Sequence, residues 1–396
     1  MNILYTITSF PPSMGGAQLY LYQTAKGAMQ KHDVNVVTFF SSDRNDWLLG
    51  TTLKAPNKEN SYIYDNIRVK QIFFNKLEKF RMLLHVCTYY FNKMYNIGAI
   101  SKLIEKKLYV KGSKIDLIHN VRVGREPLSY ASYNLAKALN IPFIFTPLHH
   151  PRWTHSFYRE YHELYRKADA LFALTTYEKE IYKRLGVKDE NIFVTGTGPV
   201  LAHNANPEDF RSKYGVSGNM VLFIGQGYPY KGLSELVKAA KVVLRQNKNV
   251  HFIFIGPHTK YSHKLFLKIR DPRIRHLGAV DLQAKTDALA ACDIFCLPSS
   301  QESFGAVFLE AWLFQKPVIA IDIPQLRELI EDKKDGYLLS KDPDNIARAI
   351  INLLQNPDLR KEMGNNGRKK AEDNFTWDAL NKKTLAAYDK VLARYL

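Results

Sequence analysis

Two glutamates eight positions apart, Glu302 and Glu310, bracket a Phe-Gly step that opens an apolar, helix-like run over 305–314. A carboxylate just ahead of a helix start can face a bound ligand. The unpaired N–H groups of Phe304, Gly305, Ala306 and Val307 suit a phosphate. Glu310 stands among Val307, Phe308, Leu309 and Trp312, so its charge needs a partner such as a hydroxyl pair. On spacing alone, a capping glutamate followed by a salt-bridged one fits equally well. Residues 225–232, Gly-Gln-Gly-Tyr-Pro-Tyr-Lys-Gly, place Lys231 where it would meet a diphosphate over the next helix start. A solvated surface lysine fits the same residues, and the spacing is neither GxxxxGK[ST] nor GxGxxG. Gly15 and Gly16 precede another helix-like run, as a close-approach site for a phosphate or sugar oxygen or as a plain turn. Asp342 and Asp344 have DxD spacing, but they precede a helix-like run at 345–354, so an N-cap is expected there. No His, Cys and carboxylate cluster has zinc spacing.

These loops need strands to carry them. Short apolar runs at 3–7, 34–38, 117–118 and 142–146, with helix-like runs at 17–31 and 129–139, give the βαβ rhythm of a parallel sheet. A second series begins at 221–224, continues through a helix at 233–245 and a strand at 251–255, and ends with strands at 294–297 and 317–320. Uninterrupted apolar runs suit strands covered on both faces. The expectation is two doubly wound α/β domains, 1–200 and 207–377, joined by a Gly-, Pro- and Asn-rich linker at 195–207. No short repeat or low-complexity tract is present.

The chain has 396 residues, 46% apolar and 24% charged. That composition excludes a mainly disordered chain and suits about two domains. No apolar run approaches the ~18 residues of a membrane span. The opening residues lack a positive region and a cleavage site, so no export signal is expected. Cys87, Cys292 and Cys296 have neither disulfide nor zinc spacing, which points to a reducing cytoplasm. The net charge is +18, which calls for an anionic partner. Residues 66–114 carry 11 basic and 2 acidic groups, about half of that excess. Phe73, Phe74, Phe80, Met82, Leu83, Leu84, Tyr89, Tyr90 and Phe91 are interleaved with them, which reads as a surface that docks on anionic lipid or as an ordinary amphipathic face. Nucleic acid is not expected, because no recognised binding module is present.

The chain resembles the retaining glycosyltransferases of family 4, the "group 1" set with the GT-B fold. The residues that carry the resemblance are 10–17, 225–232, 293–311 with its Glu–seven residues–Glu pair, 316–320, 335–339 and 374–377. In the N-terminal half they are 146–151 and 168–175. The resemblance implies two Rossmann-like domains facing a cleft: an acceptor domain over 1–200 and a donor domain over 207–377. A C-terminal helix at about 378–396 would cross back to the first.

It also implies a nucleoside-diphosphate sugar, UDP- or GDP-linked, as donor, with no cofactor and no metal. Glu310 would hold the ribose hydroxyls. Glu302, with Ser303, Phe304, Gly305 and Ala306, would hold the sugar and diphosphate. Lys231 would neutralise the leaving group, Gly15 and Gly16 would face the donor phosphate, and Gly278 and Val280 would lie by the base. His150, then His149, would stand near the donor sugar, in Thr-Pro-Leu-His-His-Pro where the family often has Thr-x-His-Gly. Gln226 replaces the family's usual Arg, losing a charge while keeping hydrogen bonding. Arg122 and Arg125 are candidates for the acceptor side. The acceptor expected is a glycan or lipid-linked glycan of cell-surface polysaccharide synthesis, met at the inner face of the cell membrane through residues 66–114. The alternatives are a nucleotide-sugar epimerase on a similar frame and a non-catalytic basic membrane- or glycan-binding protein with a decayed donor site.

Overall fold

Strands that are apolar on both sides need a helical layer on each face, and the computed structural model is layered in this way. It describes residues 1–13, 15–39, 48, 52–108, 114–122, 125–150 and 153–395. The chain divides into one unit of Met1–Gly196 with Trp377–Leu396 and a second of Thr197–Thr376.

The first unit is built on eight strands: β1 (Asn2–Thr6), β2 (Asp33–Thr38), β3 (Asn60–Tyr64), β4 (Ile67–Gln71), β5 (Leu117–Val121), β6 (Phe143–Thr146), β7 (Ala170–Ala173) and β8 (Ile192–Val194). Their order is β3-β4-β2-β1-β5-β6-β7-β8. Every neighbouring pair is parallel except β3–β4, a hairpin turned by Asp65 and Asn66 at positive φ. β5, β6 and β7 are buried along their whole length. Helix Trp377–Leu392 belongs to this unit. Its Tyr388 hydroxyl lies 3.0 Å from that of Tyr5 and 2.6 Å from Nδ1 of His119.

His119 interrupts the apolar reading of β5. Its other nitrogen meets Thr146 Oγ1 at 2.7 Å, so the ring is fully engaged while buried. Burial pushes its pKa down to about 3. The unfolded chain then takes up a proton below about pH 6.5 that the folded chain refuses until about pH 3, so stability is lost as the pH falls through that window. The slope is about 1.4 kcal/mol per pH unit for each such histidine. Denaturant unfolding between pH 7 and pH 4 should show a shallower loss for His119→Gln than for the unsubstituted chain. Parallel slopes would contradict a neutral His119.

The second unit has six parallel strands: β9 (Asn219–Ile224), β10 (Val250–Ile255), β11 (Ile274–His276), β12 (Ile294–Leu297), β13 (Val318–Ile321) and β14 (Gly336–Leu339). They are ordered β11-β10-β9-β12-β13-β14. Helix Ala306–Leu313 is pinned by Trp312, which is fully buried and donates its indole N–H to the carbonyl of Asp335 at 2.9 Å. Both sheets reverse direction beside their first strand, β1 against β5 and β9 against β12. Ligands of open α/β sheets bind at such switch points, beyond the strand C-termini.

Candidate functional site

In the second unit the switch point brings together the loops after β9 and β12. Residues Pro229–Lys231 form one 3₁₀ turn, with the rings of Tyr228 and Tyr230 stacked 5.6 Å apart. Gly232 follows at φ +78°, and a Cβ there would lie 2.1 Å from the carbonyl oxygen of Pro298. Only glycine lets the two loops approach so closely. Ser300 locks the approach by donating its N–H to the Tyr230 carbonyl at 2.8 Å.

The result is an ion pair 71 residues apart in sequence, Lys231 Nζ to Glu302 Oε1 at 2.7 Å, with both side chains largely buried. Glu310 is paired in the same way. Its Oε1 accepts from Lys285 Nζ at 2.7 Å and from the Val200 N–H at 3.2 Å. Lys285 also reaches the Val200 carbonyl at 2.8 Å. In each glutamate Oε1 is taken by a lysine, while Oε2 has no hydrogen-bond partner among the described residues. Each carboxylate is thus held in place by its lysine, with one oxygen left to accept.

The sequence reading missed Lys285. It is the lone cation of helix Leu282–Ala291, whose Thr286, Ala288 and Leu289 are buried. The signal available was the need of a buried Glu310 for a counter-charge.

Between the glutamates, Phe304 is buried and packs edge-on against Phe375, and Ser303 is half-buried. Gly305, at φ +91°, caps helix Ala306–Leu313 without a side-chain bond, leaving the first amides for a ligand or solvent. Gln226 is half-buried, so Lys231 is the sole charge of loop 225–232. Gly278, at φ +79°, accepts from the Gly256 N–H at 2.9 Å, joining the loops after β10 and β11 ahead of the half-buried Val280. Beside it, His258 and His276 share a 2.9 Å contact between their Nδ1 atoms. Burial and then His258 push His276 down to about 4. Asp342 caps helix Pro343–Gln355, accepting from the Asp344 N–H at 3.0 Å. No group of three or more metal-ligating side chains occurs among the described residues.

In the first unit Gly15 caps helix Gly16–Met29, again without a side-chain bond. The loop after β6 turns through Leu148 at φ +49°, a conformation that costs a non-glycine residue about 1–3 kcal/mol and clusters at functional sites. Beyond it, the His149 N–H donates to Glu178 Oε1 at 2.6 Å, and the Leu174 N–H donates to Oε2 at 2.6 Å. Glu178, another residue the sequence reading missed, thereby ties the loops after β6 and β7 together. His149 is 2% exposed and His150 9%. His150 packs on Trp153 with ring centroids 5.5 Å apart. Burial, then Arg122, His162 and His150, push His149 down to about 3, so it is neutral at physiological pH.

Arg122 is 6% exposed rather than lining an open surface. Its guanidinium is sandwiched between Trp153 and Tyr161, 3.8 and 3.7 Å from the ring centroids. Arg125 is half-buried, and its Nη2 donates to the Tyr90 hydroxyl at 3.0 Å. Met14, Gly124 and Pro151, part of the motifs read from sequence, lie outside the described residues.

Comparison with known proteins places both halves. Residues 206–370 match the family described as Glycosyl transferases group 1, and residues 14–199 match Glycosyltransferase Family 4. Among curated relatives, a phosphatidyl-myo-inositol mannosyltransferase of Mycobacterium leprae is 30% identical over 177 residues, covering 44% of this chain and 47% of that protein. An uncharacterized glycosyltransferase of Methanocaldococcus jannaschii is 29% identical over 188 residues, 46% of this chain and 47% of that one. The chain spans about half the length of the curated relatives it matches. Among solved structures, Anabaena HepE in complex with UDP and glucose aligns with a TM-score of 0.73 at 20% identity, covering 98% of this chain and 99% of that one. Sucrose-phosphate synthase from Thermosynechococcus elongatus aligns with a TM-score of 0.74 at 16% identity, covering 99% of each chain. These likenesses establish the fold as the GT-B type.

Proposed function

The chain belongs to the glycosyl transferases group 1 over residues 206–370 and to glycosyltransferase family 4 over residues 14–199, and on that premise we propose that it transfers a sugar from a UDP- or GDP-sugar to an acceptor hydroxyl with retention of configuration. The observation that carries this reading is the pair of lysine-held glutamates, each with one oxygen left to accept, beside an uncapped helix start at the switch point. Glu310 Oε2 would take the ribose hydroxyls and Glu302 Oε2 a hydroxyl of the donor sugar. Lys231 keeps N–H groups beyond the one given to Glu302, and these with the amides of residues 304–306 would receive the diphosphate. His150 would stand near the donor sugar.

In the reaction the bond from the anomeric carbon to the diphosphate oxygen breaks. The acceptor oxygen bonds to that carbon on the same face, and its proton passes to the departing phosphate. No side chain need be a strong base. Lys231 and the helix-start amides stabilise the charge that develops on the leaving group, the part otherwise given to a metal ion, so turnover is expected to survive chelation. An assay with each donor, in chelator, scored for transfer to added acceptor against simple conversion of the donor, separates this reading from epimerisation. Epimerisation would proceed without any acceptor.

A lipid-linked acceptor at the inner face of a cell membrane is proposed on the surface of the basic stretch. The structure divides that stretch. Phe74, Met82 and Tyr89 are core residues, whereas Leu77, Phe80, Leu84, Tyr90 and Tyr95 are exposed and Phe91 is 92% exposed. Lys76 and Arg81 are exposed among them on helix Lys76–Cys87. Apolar side chains beside cations fit an anionic bilayer surface, at about 1 kcal/mol per basic residue near it. No helix among the described residues is long and apolar enough to cross a membrane. Sedimentation with vesicles containing anionic lipid should bring the chain down at low salt, and Phe80→Ser with Phe91→Ser should release it. Equal binding to neutral vesicles, or no effect of the substitutions, would contradict docking by this face.

A further inference from the structure

A buried cation normally has a carboxylate beside it, and Arg122 has none within ion-pair distance among the described residues. The acidic groups around it are paired with other residues, although Glu126 Oε1 has no hydrogen-bond partner among the described residues. Glu160 and Glu126 are held by Lys93 at 2.6 and 3.5 Å, and Glu126 also accepts from the Tyr89 hydroxyl. Glu178 is taken by two backbone amides and by Tyr182. Burial opposes the Arg122 charge, but its surroundings, Glu126 among them, hold its pKa above the ordinary value, so it stays charged. Its Nη1 is buried with no hydrogen-bond partner among the described residues.

A second orphan lies close by. Nε2 of His149 is also buried with no hydrogen-bond partner among the described residues. Its tautomer follows from the neighbours. The Tyr165 hydroxyl has His149 Nδ1 as its one hydrogen-bond partner among the described residues, and a phenol has one proton to give. The Tyr165 proton then goes to His149 Nδ1, 3.2 Å away. This leaves the single proton of the neutral ring on Nε2. Two unsatisfied donors, one on a fixed cation, therefore occupy one site at the ends of β5 and β6. Leaving two such donors without partners is unfavourable, and a ligand that accepts from both removes that cost.

We infer that Arg122 and His149 form a receptor for an oxyanion carried by the acceptor, a phosphate or a carboxylate. The inference rests on the proposed reading of this unit as the acceptor side. Guanidinium and imidazole N–H groups together match two oxygens of one such group, and the aromatic sandwich fixes the guanidinium plane beforehand. Trp153 is half-buried and packs against Arg122, His149 and His150. An oxyanion that reaches both donors displaces this indole, which gives the site its own signal.

The test follows tryptophan fluorescence of the whole chain, saturated with UDP so that any donor-side phosphate site is filled. Methyl phosphate and, separately, acetate are titrated in at constant ionic strength. A saturable change with methyl phosphate identifies a phosphate-bearing acceptor, and one with acetate a carboxylate. The change should vanish in Trp153→Phe, weaken at least tenfold in Arg122→Lys and weaken in His149→Gln. A single cooperative thermal unfolding transition near that of the unsubstituted chain shows that each of the three folds. No saturable change with either anion up to about 100 mM would overturn the inference, as would equal binding by folded Arg122→Lys and His149→Gln. If UDP itself does not bind, the donor reading fails. The anion site then stands or falls on the same substitutions without UDP.

Discussion

Replacing Glu310 by alanine is expected to weaken nucleoside-diphosphate binding by about 10²- to 10⁴-fold. Two charge-assisted hydrogen bonds from ribose hydroxyls would be lost, at about 1.5–3 kcal/mol each. The substitution also strands Lys285, whose 2.7 Å partner in a largely buried position is Glu310 Oε1, and an unpaired buried charge is costly in its own right. Glu310→Gln separates the two effects. It keeps an acceptor for the ribose but not the charge for Lys285, so it should fall between alanine and the unsubstituted chain. Titration calorimetry with the nucleotide reads both. Donor affinity that is unchanged in a folded Glu310→Ala would remove Glu310 from the ribose.

The second large effect is on turnover. Lys231→Ala is expected to lower kcat by about 10²–10³, the usual cost of removing one preorganised charge from a developing oxyanion. Donor affinity should fall less, because the helix-start amides still hold the ground-state diphosphate. Lys231 carries this weight because Gln226 supplies no second cation in loop 225–232. Lys231→Arg keeps the charge and should retain more activity than alanine, though the fork does not reproduce the 2.7 Å point contact with Glu302. A purely structural lysine would predict the opposite pattern, with stability lost and kcat per folded molecule kept. Single-turnover rates beside unfolding midpoints distinguish the two.

The expectation of two doubly wound domains could be read from strands such as 294–297 and 221–224, because a run buried on both faces has one reading in an α/β chain. The β3–β4 hairpin was missed, although Asp65-Asn66 at its turn is a short-range hairpin signal. Its strands are half-exposed and polar, so hydrophobic pattern alone did not mark them. At the site, Glu302, Glu310 and Lys231 stood out by residue type and position. What they touch did not, because Lys285 and Glu178 act across 25 and 29 residues respectively, distances that no local periodicity encodes. The salt-bridged reading of the glutamates was also partly right, whereas Glu302 does not cap the helix, whose N-cap is Gly305. Both glutamates are ion-paired, and it is the second oxygen of each that leaves room for a ligand. Residues 66–114 looked uniform in sequence, but Phe74, Met82 and Tyr89 went to the core while Phe80 and Phe91 stayed outside. Helical phase and packing decided between them, not composition.

The central claim is that the second unit holds a nucleoside diphosphate between Lys231, Glu302 and Glu310. Thermal unfolding of the purified chain against UDP, GDP, ADP, CMP and dTDP, in chelator and again with Mg²⁺, tests it most directly. The account predicts stabilisation by one diphosphate, equal with and without metal, reaching about 2.7 kcal/mol at a hundredfold excess over its Kd and absent in Glu310→Ala. No stabilisation by any of the five, or stabilisation that Glu310→Ala retains in full, would contradict it.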